Sequence, residues 1–165
     1  MKLQLYKNIF TCTILLLAVM SGAGRNYYVD AVKGSDNNNG LTTSSAWKTL
    51  AKISVTVFKP GDVIAFKSEQ RFIGILSISS NGNKGAAILY TTYGGSKPAI
   101  IEGNGDSVAI YSYNKQYLEI KNLSITNFRK GIIKVDDLFN GIYMVNEDAG
   151  TLNHSPAFFW LYILR

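Results

Sequence analysis

The sequence predicts an all-β fold, a parallel β-helix (solenoid) of about four coils behind a short N-terminal capping helix. Three observations lead there. Short strand-like runs follow one another from Val63 to Val145 with no convincing helix between them. Turn residues separate most of these runs: Asn81-Gly82, Gly94-Gly95, Gly103-Asn104-Gly105, Asn114 and Asn140-Gly141. Strand centres also recur at a period of about 22 residues, the length of one solenoid coil. An antiparallel sandwich would show the same short strands and turns. Hairpins, however, require no similarity at a coil-length period.

The elements follow in order. Lys2 and Lys7 make a basic start, residues 9–20 are apolar, and Ser21-Gly22-Ala23 supplies small residues. This is the pattern of a secretory signal peptide, residues 1–23, cleaved after Ala23. The apolar run is too short to span a bilayer comfortably, which disfavours a membrane anchor. Residues 24–62 form the lead-in. Asn26-Tyr27-Tyr28-Val29-Asp30 reads as a strand, and Gly34-Ser35-Asp36-Asn37-Asn38-Asn39-Gly40 as a loop. Thr43-Ser44-Ser45 offers N-caps for a helix over 45–53, with Trp47, Leu50 and Ala51 on its apolar face. Lys59-Pro60-Gly61-Asp62 reads as a turn with proline at i+1 and glycine at i+2.

Residues 63–154 form the coils. Expected strands are 63–67, 73–79, 87–91, 99–102, 108–111, 117–126, 131–135 and 141–145. Their centres fall into two series: Ile64, Leu89, Ile110, Ile133, and Ile78, Ile101, Ile125, Val145. Asn81, Asn104 and Asn127 repeat in a way that invites a ladder of stacked asparagines at a turn. That register disagrees by one residue with the step from Ile101 to Ile125, and buried apolar side chains fix register more strongly.

Composition bounds the function. Hydrophobic residues make up 47% of the chain and charged residues 17%, which argues against disorder. The single cysteine, Cys12, lies inside the signal, so the mature chain holds no disulfide. Removing Lys2 and Lys7 lowers the formal charge from +6 to +4, and the remaining basic residues are scattered. A mild positive surface favours an acidic polysaccharide, although solvation alone accounts for such charges. No basic patch or recognised module supports nucleic-acid binding. The mature chain is expected to be extracytoplasmic (secreted or periplasmic), monomeric and free of the membrane.

The ordered run from Tyr27-Tyr28-Val29-Asp30 through the 34–40 loop, Ala46-Trp47-Lys48-Thr49-Leu50 and Lys59-Pro60-Gly61-Asp62-Val63-Ile64 resembles a known pattern. So do Tyr93-Gly94-Gly95-Ser96-Lys97-Pro98-Ala99-Ile100-Ile101-Glu102-Gly103 and Tyr117-Leu118-Glu119-Ile120-Lys121-Asn122-Leu123-Ser124-Ile125. Together, over residues 26–153, they resemble the N-terminal portion of secreted bacterial right-handed parallel β-helix proteins of the pectate-lyase-like superfamily. The resemblance implies a polysaccharide partner and a parent enzyme that is a lyase on acidic glycan or a glycoside hydrolase. It equally admits a non-catalytic carbohydrate-binding or surface-attachment solenoid, because fold does not settle function. For a lyase it implies a carboxylate neutralised by Ca²⁺ and a Lys or Arg base. No cofactor is otherwise evident.

The residues themselves name no catalytic group and no metal ligand set. Asp136-Asp137 and Glu147-Asp148 are adjacent acids that could offer oxygen ligands, and solvated turns explain them as well. Asp30, Asp36 and Asn38 could hold a cation or simply form turns. Arg129, Lys130 and Lys134 are candidate bases, and His154 is the sole histidine. Tyr93, Tyr111, Tyr113 and Tyr117 could stack on sugar rings or pack between coils. Residues 155–165 form an apolar tail without alternation or turns. The tail departs from the family pattern and is read as a frame change or stop near residue 154 that leaves an inactive fragment; a native apolar plug is the alternative.

Overall fold

A computed structural model describes residues 24–104 and 108–127, together with the backbone of a last strand, Asn140–Val145. The chain is mostly β-sheet with almost no helix. Strand β1 (Asn26–Val29) leads through a single 3₁₀ turn (Thr43–Ser45) to helix α1 (Leu50–Ser54). Strands β2 (Val63–Lys67), β3 (Arg71–Ile73) and β4 (Leu76–Ile78) follow, then β5 (Ile88–Tyr93), β6 (Ala99–Glu102) and β7 (Val108–Tyr113). Strands β8 (Leu118–Ile120), β9 (Leu123–Thr126) and β10 (Asn140–Val145) complete the set.

These strands build three sheets: β1-β2-β5-β8, β3-β6-β9 and β4-β7-β10. Every strand pairing in them is parallel, which excludes the antiparallel sandwich among the described residues. From β2 onward each successive triplet of strands gives one member to each sheet, so the chain winds as a three-sided coil. The described residues hold three such circuits, preceded by β1 as an extra rung on the first sheet.

Three walls replace the two interleaved series. Ile64 faces Tyr90, not Leu89, and Ile110 lies in the third sheet. Ile78 is also in the third sheet, whereas Ile101 is in the second, where it does face Ile125. The rung-to-rung step is 26 residues from Ile64 to Tyr90, 29 from Phe72 to Ile101 and 34 from Leu76 to Ile110. Among the described residues no single period near 22 exists, because the corners differ in length. The asparagine ladder does not form either. Asn81 follows β4 of the third sheet and accepts from the Gln116 amide at 2.9 Å. Asn104 and Asn127 both follow second-sheet strands, one residue out of step: Gly103 N donates to Thr126 O, which sets Asn127 beside Gly103.

Side chains that point inward stack from rung to rung. Tyr27, Ile64, Tyr90 and Ile120 line the first sheet, Phe72, Ile101 and Ile125 the second, and Leu76 and Ile110 the third. Each fully buried aliphatic or aromatic side chain contributes about 1.5–3 kcal/mol relative to exposure. The lead-in closes the N-terminal end of this core. The Trp47 ring stacks on Tyr27 at 5.0 Å and, with Leu50, Ile53 and Phe58, covers the first rung.

The same segment covers the N-terminal edges of the first and third sheets. Tyr28 N donates to Gly40 O, Trp47 N to Tyr28 O, and Asp30 N to Trp47 O, so the outer edge of β1 is paired by its own loop. Ser54 Oγ accepts from Ser77 N at 3.0 Å and Ser80 Oγ from Phe58 N at 2.9 Å, which seats the end of α1 and its exit segment against β4.

The helix is shorter than the expected 45–53 and begins later. Thr49 caps it, its Oγ1 accepting from Lys52 N at 3.2 Å. The helix cannot extend back through Trp47, which is extended and bridges Val29. Thr42, not the Thr43-Ser44-Ser45 run, caps the preceding 3₁₀ turn. The Lys59–Asp62 turn forms as expected. Asp62 N donates to Lys59 O at 3.0 Å, and Gly61 has φ +85°, which glycine alone adopts freely.

Candidate functional site

Alternation puts every second residue of a strand on the outer wall. On β7 that rule exposes Tyr111 and Tyr113, 37% and 43% accessible, and buries Ser112 between them. Tyr111 is in register with Ser77 of β4 below and with Tyr143 of β10 above; Tyr113 is in register with Val145. Tyr117, 48% accessible, sits in the turn that leaves β7, held at φ +53°. Its carbonyl accepts from Ile88 N at 3.0 Å, which fixes the turn to the first sheet. Two neighbouring tyrosines on the outer face of the third sheet, with Ser77 in register with Tyr111, form a surface suited to stacking on sugar rings.

Tyr93 belongs elsewhere. It lies on the first sheet, edge-on to Tyr28 at 5.1 Å and beneath the Lys67 ammonium at 5.2 Å. Burial, helped by the negative charge of Asp30 and by Tyr28, pushes its hydroxyl pKa up to about 12. The four tyrosines of the sequence reading are therefore split: Tyr111 and Tyr113 share a wall, Tyr117 follows them, and Tyr93 packs between coils.

The acids of the lead-in shape the loop. Asp30 Oδ1 accepts from Val32 N at 3.0 Å, Lys33 N at 2.8 Å and Gln70 Nε2 at 3.0 Å. Asp36 Oδ1 accepts from Lys48 N at 2.8 Å and Thr49 N at 3.0 Å, and its Oδ2 from Thr49 Oγ1 at 2.7 Å. Asn38 turns its amide Nδ2 to Ala46 O at 3.0 Å. These three residues hold three separate turns. Among the described residues no group of three or more metal-ligating side chains is present. Desolvation pulls the pKa of both carboxyls up. For Asp30 the hydrogen bonds from Lys33, Gln70 and Val32 and the Lys67 charge outweigh it. For Asp36 those from Thr49 and Lys48 and the Lys52 charge do so, and both carboxyls end below the ordinary value.

Asp62 has a structural role that the sequence reading missed. It is 2% accessible; its Oδ1 accepts from Arg25 N at 2.8 Å and its Oδ2 from Lys59 N at 2.7 Å. It ties the start of the described chain to the turn before β2. A small polar pocket was also missed, lined by Thr92, Gly95, Ser96, Lys97, Pro98 and Asn122, with a volume of about 290 Å³. Only the coil register reveals it. Arg129, Lys130, Lys134, Asp136, Asp137, Glu147, Asp148 and His154 lie outside the described residues, as do the expected strand 131–135, the signal 1–23 and the tail 155–165.

The fold and its outer wall define a class: a parallel three-sided β coil with exposed aromatic residues on one face. No family model matches the chain. No curated protein matches it. Among solved structures it is similar to a GH136 lacto-N-biosidase from Eubacterium ramulus. The selenomethionine form is 24% identical at a TM-score of 0.60, covering 68% of this chain and 22% of that one. The native form is 23% identical at a TM-score of 0.59, covering 68% and 21%. The likeness is one of fold, and the chain spans about a fifth of the length of the structures it matches.

Proposed function

We propose that the chain is the N-terminal segment of an exported, carbohydrate-active right-handed parallel β-helix protein, and that the third-sheet wall carrying Tyr111 and Tyr113 engages the glycan. The right hand follows from the rule that parallel strands in one sheet connect by right-handed crossovers. One observation carries the functional reading: two accessible tyrosines stand two residues apart on one strand, the first of them, Tyr111, in register with Ser77. A ring on a strand loses little freedom when it stacks on a sugar, so its contact area converts well into affinity. The fold shared with a lacto-N-biosidase supports carbohydrate as the ligand class. Among the described residues no helix is long and apolar enough to cross a membrane.

Turnover belongs to the longer protein, as lyase action on an acidic polysaccharide with Ca²⁺ as a candidate cofactor; the fragment alone is inactive. The test is an affinity measurement on the full chain with immobilised pectate, alginate and neutral glycans. Replacing both Tyr111 and Tyr113 by Ala should weaken retention about 5- to 20-fold, on the order of 1–2 kcal/mol for two stacking contacts. Unchanged retention would remove the wall as the binding site. For the extended protein, unsaturated uronate product marks a lyase, and new reducing ends without unsaturation mark a hydrolase. Retention with neither product marks a binding solenoid.

A further inference from the structure

The strands of the first sheet are all entered along one edge of the coil. Residues 79–87 turn the corner from β4 into β5, and residues 114–117 the corner from β7 into β8. Residues 59–62 lead into β2, and Arg25 stands just before β1. Hydrogen bonds stack these four entries on one another. Arg25 N donates to Asp62 Oδ1 at 2.8 Å, and Val63 N to Arg25 O at 2.8 Å. Gly61 N donates to Ala86 O at 2.9 Å. Gly82 N donates to Gln116 O at 3.1 Å, and Gln116 N to Asn81 Oδ1 at 2.9 Å.

Each entry carries a cation: Arg25, Lys59, Lys84 and Lys115. The first three are exposed and Lys115 is half-buried. Among the described residues none of the four charged groups meets a protein partner. Cations elsewhere on the coil are engaged. Arg71 pairs with Glu102, Lys97 with Glu69 and Lys121 with Glu119. Lys52 and Lys67 lie over the Trp47 and Tyr93 rings. The one carboxylate on the entry edge among the described residues is Asp62, which is 2% accessible and occupied by two backbone amides. These cations look scattered in sequence because a whole coil separates each from the next. Winding brings them to one per rung, and with rungs about 4.8 Å apart their backbones span roughly 15 Å.

The edge is convex, as the outer corner of a three-sided coil must be. A polymer laid along it would touch one side only, whereas a plane of anionic headgroups surrounds such an edge with opposite charge. Lysine suits that partner, because a compact charge on a flexible stem responds to a diffuse field and needs no fixed receptor geometry. Tyr117, 48% accessible, stands in the same corner as Lys115. An amphipathic ring of this kind settles at the level of lipid headgroups. Clusters of about four or more basic residues are the size that anionic leaflets hold. Contact of this sort requires charge and no membrane-spanning helix.

We propose that the entry edge carrying Arg25, Lys59, Lys84 and Lys115 docks the chain on an anionic phospholipid surface. The inference stands apart from the glycan reading, since it uses neither Tyr111 nor Tyr113.

The test is flotation of the full chain with vesicles of phosphatidylcholine alone and of equal parts phosphatidylcholine and phosphatidylglycerol. The apolar stretches 9–20 and 155–165 are common to every variant, so the readout is the ratio of the two affinities. Each basic residue at an anionic surface contributes roughly 5-fold in binding. The full chain should prefer the anionic vesicles by about 20-fold or more, and less as salt rises. Replacing Arg25, Lys59, Lys84 and Lys115 together by Gln should lower that ratio about 10-fold or more. A control with Lys33, Lys48, Lys97 and Lys121 replaced by Gln loses the same net charge and should change it by less than about 3-fold. Thermal melts confirm that each variant is folded. Should the quadruple edge variant fail to fold, the exposed pair Lys59→Gln and Lys84→Gln carries the test, with a loss of about 5-fold or more expected. Absence of a preference for anionic vesicles, or equal losses in the edge and control variants, would overturn the proposal. An equal loss of retention on immobilised pectate by the edge variant would also overturn it, by making the edge part of a glycan site. The Tyr111/Tyr113 double variant should keep its vesicle preference whether or not it keeps the polymer. Loss of that preference would place the lipid contact on the third-sheet wall and overturn the assignment to the edge.

Discussion

Asp62 shows how one side chain decides a local structure. Its two oxygens accept from Arg25 N and Lys59 N inside a nearly closed site. Asp62→Ala leaves two amides without partners, and a cost of about 2–4 kcal/mol is expected, read as a lowered urea midpoint with an unchanged m-value. Phe66 is fully buried and meets the Phe72 ring edge-on at 5.0 Å. Phe66→Ala should cost about 3–5 kcal/mol in the same assay, a large share of the stability of a single domain. Neither role could be read from type alone. Asp62 looked like an ordinary turn acid, because its amide partner at Arg25 is 37 residues away in sequence.

Among elements, the lead-in loop and α1 depend on one shared contact. Thr49 caps α1 through Oγ1, and the same hydroxyl donates to Asp36. Thr49→Ala should cost about 1–2 kcal/mol, and Thr49→Ser should restore most of it. Because the Asp30 and Asp36 carboxyls sit below the ordinary value of 3.8 when folded, their contribution is complete above that value. It is lost as pH falls through the lower folded values. The protection of the Lys48 and Thr49 amides, taken relative to their intrinsic exchange at each pH, should therefore fall as Asp36 is protonated below its ordinary value, and Asp36→Asn, which keeps an acceptor and cannot ionise, should flatten that response.

Strand legibility follows from the corners. The strands over 63–67 and 99–102 match the sequence reading because Asp62 and Ser68 flank the first and Pro98 and Gly103 the second. The runs 73–79 and 117–126 each read as one strand but divide in two, at Gly74 with φ +114° and at Asn122 with φ +54°. A solenoid corner needs one left-handed residue, and the inward apolar pattern continues straight around it. Two strands on different walls thus look continuous, and three sheets look like two series.

For the whole molecule, the parallel coil and its N-terminal cap were legible because they arise from repeated burial. The site was less so. Tyr111 and Tyr113 were visible as sugar-stacking candidates, but their separation from Tyr93 depends on which wall each strand joins. The pocket lined by Thr92, Ser96 and Asn122 needs two successive coils to form, and no single stretch of sequence contains that information. The central functional claim is that glycan lies along the third-sheet wall. Hydroxyl-radical footprinting of the full chain with and without bound polysaccharide tests it most directly. Protection of Tyr111 and Tyr113, with Tyr28 and Tyr93 unchanged, is the predicted result. Saturated binding with Tyr111 and Tyr113 as reactive as in the free chain would contradict it.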